Sequence, residues 1–178
     1  TGTPNTYYNT SSHLQTTVTA TGTVYCLLVI GSNSTIYHNF IGDLKATFST
    51  SITDAVRGIN IISTQSATTV KVYYNTTYIT ATSSEATFYT SAIFHTANAT
   101  ATTATLDMRD NILINTSTAH GAGHTTVFER SGIELSNYAS NSGNNLFYAG
   151  IQSSANNIMF EQTNFYQTEK LAGSNSII

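Results

Sequence analysis

His120-Gly-Ala-Gly-His124 has the four-residue histidine spacing found in zinc hydrolases. That pairing needs a helix to bring both rings onto one face, and Gly121 and Gly123 argue against one. No third ligand or general-base Glu follows at a useful offset, so the segment reads as an exposed Gly-rich loop. The same glycines make no phosphate cradle, because no Gly-Lys-Ser/Thr follows them. Asp107, Arg109 and Asp110 place two carboxylates beside a cation, but a Ca²⁺ loop carries more oxygen ligands in register, and a solvated turn is expected. Cys26 has no second cysteine to pair with and no neighbouring base to lower its pKa, so it reads as a small core residue. Lys71 lies between Val70 and Val72, where a buried amine near Asn or Asp would form an isopeptide crosslink; an outward lysine guarding an edge strand is the commoner arrangement. No Gly-x-Ser-x-Gly elbow occurs. Neither a nucleophile–base–orienter set nor a cofactor site can be assembled, so no catalysis and no cofactor are expected.

Five Asn-x-Ser/Thr sequons begin at Asn9, Asn33, Asn75, Asn98 and Asn115. Random placement of this many Asn, Ser and Thr would give about as many, so only position is informative. Asn9 falls in a polar leader, Asn33 in a turn, Asn75 at a hairpin tip and Asn115 at a strand end, all places where an N-linked glycan would face solvent.

Only 8% of the residues are charged, against roughly 25% in an average soluble domain. Solubility therefore rests on 33 Thr, 20 Ser and 17 Asn. Six Lys and Arg, scattered along the chain, leave no basic patch for nucleic acid. No apolar run approaches the length of a membrane span. Opening on Thr1 fits a secreted chain whose signal peptide has been removed. With so few groups to titrate, little change in stability is expected between neutral pH and about pH 3.

These side chains must be positioned by strands, because the chain has no convincing amphipathic helix. Val24–Ile30 is apolar at both parities and reads as a strand covered on both faces. Residues 69–74 and 78–82 read as a hairpin across Asn75-Thr-Thr. About ten short strands with turn signals between them, and no evident internal repeat, predict an all-β fold: an antiparallel, Ig-like or pilin-like β-sandwich.

One stretch has no obvious home in that sandwich. Leu14, Thr16, Val18 and Ala20 fall on one side of an extended strand close to the first residue, behind a polar leader and before Gly22. Such a strand can complete the open sheet of another copy. Residues 1–21 then form a tail with a donor strand, and residues 22–178 the globular domain.

A polar leader, an early strand and an all-β domain rich in Thr, Ser, Asn and Tyr with scattered sequons resemble the thread filament subunits of thermoacidophilic archaea. That family is similar in architecture to bacterial type 1 pilins, although those usually hold a cysteine pair. The resemblance implies a cell-surface filament outside the cell, in which each subunit donates its first strand to the next copy. It also implies glycans on the five sequon asparagines, partners that are other copies of the chain, and a role in adhesion or biofilm formation. The alternative is a secreted carbohydrate-binding β-sandwich or a viral coat protein, with Tyr residues as sugar platforms.

Overall fold

The computed structural model describes residues 5–7, 10–11, 14–17, 22–31, 33–51, 53, 55–97, 103–151, 153–161 and 164–166. The described chain is all β, but it winds as a parallel solenoid and not as an antiparallel sandwich.

Each of the first four coils lays one strand on each of three sheets, and the fifth on the second and third only. The first coil holds β1 (Asn5–Tyr7), β2 (Thr10–Ser11), β3 (Gln15–Thr16) and β4 (Val24–Val29). The second repeats the order with β5 (Ser34–Tyr37), β6 (Phe40–Gly42), β7 (Lys45–Ala46) and β8 (Val56–Ile61). The third holds β9 (Thr69–Tyr73), β10 (Thr76–Ile79) and β11 (Thr90–His95), and the fourth β12 (Thr105–Arg109), β13 (Ile112–Asn115) and β14 (Thr125–Arg130). The fifth has β15 (Leu146–Tyr148) and β16 (Asn156–Glu161), after which β17 (Asn164–Tyr166) turns back.

The first sheet is β1-β5-β9-β12, the second β2-β6-β10-β13-β15, and the third β4-β8-β11-β14-β16-β17; β3 and β7 form a short fourth pair. Every strand pair is parallel except β16–β17. Parallel neighbours stack at about 4.8 Å per coil, so residues one coil apart in sequence lie one above the other.

The interior follows from that stacking. Ile36, Val72 and Met108 are register partners on the first sheet, Ile41, Thr77, Leu113 and Phe147 on the second, and Ile59, Ile93 and Phe128 on the third. All of them are buried. Side chains alternate in and out along a strand, so the sequence pattern marking one buried face is the same for this fold and for a sandwich.

Three local expectations change with the fold. The strands on either side of Asn75 are not a hairpin: β9 belongs to the first sheet and β10 to the second, and Tyr74-Asn75 is the corner between them. The strand at Val24–Val29 is not covered on both faces: it ends the third sheet, and its Leu28 and the following Ile30 are exposed. An internal repeat exists, because the corner Asn39 recurs at Asn75, Asn111 and Asn145.

The donor-strand arrangement rested on a sandwich with a vacant groove, and this fold has no such sandwich. Leu14 is exposed and its carbonyl accepts the Lys45 N–H at 2.8 Å, while Thr16 pairs with Ala46 within the same chain. Val18 and Ala20 lie outside the described residues. Strands β1, β2 and β3 pair with β5, β6 and β7.

Candidate functional site

The corner between the first and second sheets is built from a column of four buried asparagines, Asn39, Asn75, Asn111 and Asn145. The Oδ1 of Asn75 accepts the Asn39 main-chain N–H at 3.1 Å and its Nδ2–H at 2.7 Å. Asn111 Oδ1 does the same for Asn75 at 2.9 and 3.0 Å, and Asn145 Oδ1 for Asn111 at 3.1 and 2.8 Å. Each amide nitrogen also reaches back to the preceding coil: Asn75 to the Ile36 carbonyl, Asn111 to Val72, Asn145 to Met108. Asparagine suits this column because one side chain offers two donors and an acceptor with two lone pairs.

The residue before each column asparagine has a positive φ. His38, Tyr74, Asp110 and Asn144 all stand at 56°, the left-handed conformation that turns the chain sharply from one sheet to the next. Outside this corner, His38 stacks on Tyr74 with ring centroids 5.4 Å apart.

The corner fixes how the second sheet faces outward. Phe40, Thr76, Ile112 and Leu146 form one outward register row, and Gly42, Tyr78, Ile114 and Tyr148 the other. None of the eight carries a charge. Phe40 is 47% exposed, Tyr78 43%, Ile112 43% and Tyr148 49%. Exposed apolar and aromatic side chains grouped on one sheet are the kind of surface that marks a contact site.

At the far edge of this face, in the fourth and fifth coils, lies a groove of about 380 Å³. Thr116, Thr118, Tyr148, Gly150, Ile151 and Asn156 line it.

The residues singled out by type sit elsewhere. Asp107 is on β12 rather than in a solvated turn, and it is buried. Arg109 grips it through Nε and Nη2 at 2.8 and 2.7 Å, and Tyr73 donates its hydroxyl at 2.5 Å. Burial, and then the Asp107 hydrogen bond and charge, push the Tyr73 phenol up to about 12. The hydrogen bond to Asp107 raises the Arg109 pKa as well, so both stay protonated and clamp the carboxylate. Lys71 is exposed, with Thr35 and Asp107 as register partners; it is not the buried amine a crosslink needs.

The His120–His124 segment is exposed at Gly121 and Ala122 and half-buried at His120, but packed at Gly123 and His124. Gly121 has φ +58°, and a Cβ on Gly123 would run into the carbonyl oxygens of Phe88 and His120. His124 is buried against Tyr89, ring centroids 4.4 Å apart, and burial lowers its pKa to about 4. His120 Nδ1 lies 3.1 Å from the Glu85 carbonyl. Among the described residues no three His, Cys, Asp or Glu side chains come together to hold a metal. Cys26 is half-buried against the core.

A buried polar cluster was not anticipated. Arg130, fully buried, contacts His95 Nδ1 at 3.0 Å and Asn137 Oδ1 at 3.1 Å and also donates to the Glu134 carbonyl. Asn137 binds the Thr96 carbonyl and the Thr103 hydroxyl at 2.7 and 2.5 Å. Burial first, and the Arg130 charge second, lower the His95 pKa to about 3. The cluster ties the third sheet to the loop of the fifth coil.

Of the sequon asparagines, Asn33 is exposed, its Oδ1 accepting the Thr69 N–H at 2.7 Å. Asn75 is a member of the buried column, and Asn115 is buried with its amide on the Thr126 carbonyl at 2.8 Å. Asn9 and Asn98 lie outside the described residues. No helix among the described residues is long and apolar enough to cross a membrane.

No known family, characterised protein or solved structure matches the chain. The site must be read from its own geometry.

Proposed function

We propose that the chain is a structural element of an extracellular surface assembly, a short and nearly uncharged rod whose copies lie side by side through the outward face of the second sheet. The observation that carries this reading is the face itself, eight outward positions on β6, β10, β13 and β15 without one charge. An identical face can cover it without stranding a charge away from water. A neutral Thr, Ser and Asn surface elsewhere, with Asn33 open to solvent, supports a location outside the cell.

The size of the face sets the strength of the contact. Four coils at about 4.8 Å and strands of about four residues at 3.3 Å give roughly 250 Å² per copy. A pair therefore buries roughly 500 Å², the scale of weak contacts. Because the same patch is used on both sides, the contact is isologous and gives pairs of rods.

Sedimentation equilibrium up to roughly 1 mM tests this, the range in which so small an interface associates. Reversible association is expected for the wild type, and a monomer of unchanged circular dichroism for the Phe40→Lys/Ile112→Lys variant. A wild type that stays monomeric, or a double variant that associates equally well, would refute the reading.

A further inference from the structure

The groove at the end of the second sheet shares Tyr148 with the self-association face but has a chemistry that goes beyond that reading. Its rim is an exposed tyrosine ring, Tyr148, and Ile151, which at 87% exposed is the most open large apolar side chain of the described residues. Between them it offers the hydroxyls of Thr116 and Thr118 and the amide of Asn156. The main-chain N–H groups of Thr116 and Thr118 are spent on the Ile79 and Ala81 carbonyls of the coil below, at 2.8 and 3.0 Å. Their side-chain hydroxyls take no part in the bonding of the coils.

No lining residue is charged, so the groove offers nothing to neutralise an anion or a cation. It presents a flat ring with an apolar face, hydrogen-bonding groups that both donate and accept, and a floor at Gly150 that no side chain fills. A volume of about 380 Å³ is at the small end of ligand sites, room for one or two sugar rings. A pyranose has matching features: an apolar face of C–H groups to lie on the tyrosine and a rim of neutral hydroxyls. Acidic sugars would bring a carboxylate that the groove cannot pair.

We propose that the groove between Thr116–Thr118 and Tyr148–Asn156 binds a neutral glycan, with Tyr148 as the stacking platform and Thr116, Thr118 and Asn156 as hydrogen-bonding partners. The site sits at the boundary of the self-association face but does not need a second copy. Tyr148 is common to both faces, and the Phe40→Lys/Ile112→Lys variant separates the two readings because it disrupts pairing and leaves every groove residue in place.

Amide chemical shifts decide it, recorded with the β-1,4-linked N-acetylglucosamine hexasaccharide, the β-1,4-linked glucose hexasaccharide, and an oligogalacturonate as the acidic comparison. The titrations use both the wild type and the Phe40→Lys/Ile112→Lys variant, so failure of self-association leaves the outcome readable. At least one neutral hexasaccharide is expected to bind with a dissociation constant on the order of 1 mM, shifting Thr116, Thr118, Tyr148 and Asn156. Tyr148→Ala should weaken it about tenfold, and Thr118→Val, which keeps the shape and removes the hydroxyl, should weaken it severalfold. Binding of neither neutral sugar, shifts confined to other coils, equal binding of oligogalacturonate, or full affinity in both variants would overturn the proposal.

Discussion

The asparagine column is where single residues matter most. Asn75 serves the coil above and the coil below, so Asn75→Ala strands the Asn39 N–H and the Ile36 carbonyl in a dry interior. Each unpaired group costs about 1–3 kcal/mol, and the sum should be about 3–5 kcal/mol of stability, read by urea unfolding. Asn75→Asp keeps the acceptor but turns an anion toward the carbonyls, and should be no better. A loss below about 1 kcal/mol for either would mean that the column is ornamental. The sequence marks Asn75 and Asn115 as sequons, yet the same residue type serves an exposed glycan site and a buried ladder, and only the fold separates them. Peptide mapping of material from its native source should find sugar on Asn33 before Asn75 or Asn115; full occupancy at Asn75 would contradict the buried column. The histidines revise the expected indifference to acid. His95 and His124 are held neutral in the fold, with pKa values of about 3 and 4, whereas unfolded histidine titrates near 6.5. Below pH 6.5 the unfolded chain therefore binds protons that the native chain refuses, and stability falls until the native values are reached. The slope is at most about 1.4 kcal/mol per pH unit for each histidine. Unfolding free energies from pH 7 to 4 should decline, and the decline should shrink in His95→Gln; a flat profile would argue that neither ring is buried as described.

At the scale of elements, the unit is the coil. The motif is visible in the chain once the fold is known: Ile36-Tyr-His-Asn-Phe40, Val72-Tyr-Tyr-Asn-Thr76 and Met108-Arg-Asp-Asn-Ile112 share a corner asparagine. It was hard to read because the repeat retains little beyond that residue and its spacing changes from 36 to 34 residues over the last two steps of the column, Asn75 to Asn111 and Asn111 to Asn145. The apparent hairpin at Asn75 failed for a related reason. A turn signal between two strand-like runs reports a change of direction, not whether the chain reverses by half a circle or turns onto the next sheet. Close packing between coils at the His120–His124 loop gives an element-level test. Gly123→Ala puts a methyl group against the Phe88 and His120 carbonyls and should cost about 1–3 kcal/mol in thermal or urea unfolding. Full stability in that variant would mean the loop stands away from β11, as its glycine content alone suggests.

For the whole molecule, composition was informative about class and silent about topology. Thr- and Tyr-rich alternating runs correctly point to an all-β fold, with no helix among the described residues, since such residues suit a pleated, half-buried surface. Alternation cannot distinguish parallel from antiparallel pairing, nor a sheet closed by stacking from two sheets face to face. The uncharged outward face was equally hidden. Phe40, Tyr78, Ile112 and Tyr148 are far apart in sequence, and only a stack in register assembles them. What a sandwich would scatter, the solenoid concentrates, and the proposed contact and groove both depend on it. The most direct test is a disulfide between register partners one coil apart. Thr76 and Ile112 are paired on adjacent strands of the second sheet, at a separation a disulfide can span. In a Cys26→Ala background, Thr76→Cys/Ile112→Cys should oxidise within the monomer and leave the circular dichroism unchanged. A pair that stays reduced, or links only between molecules, would contradict the stacked coils on which the whole account is built.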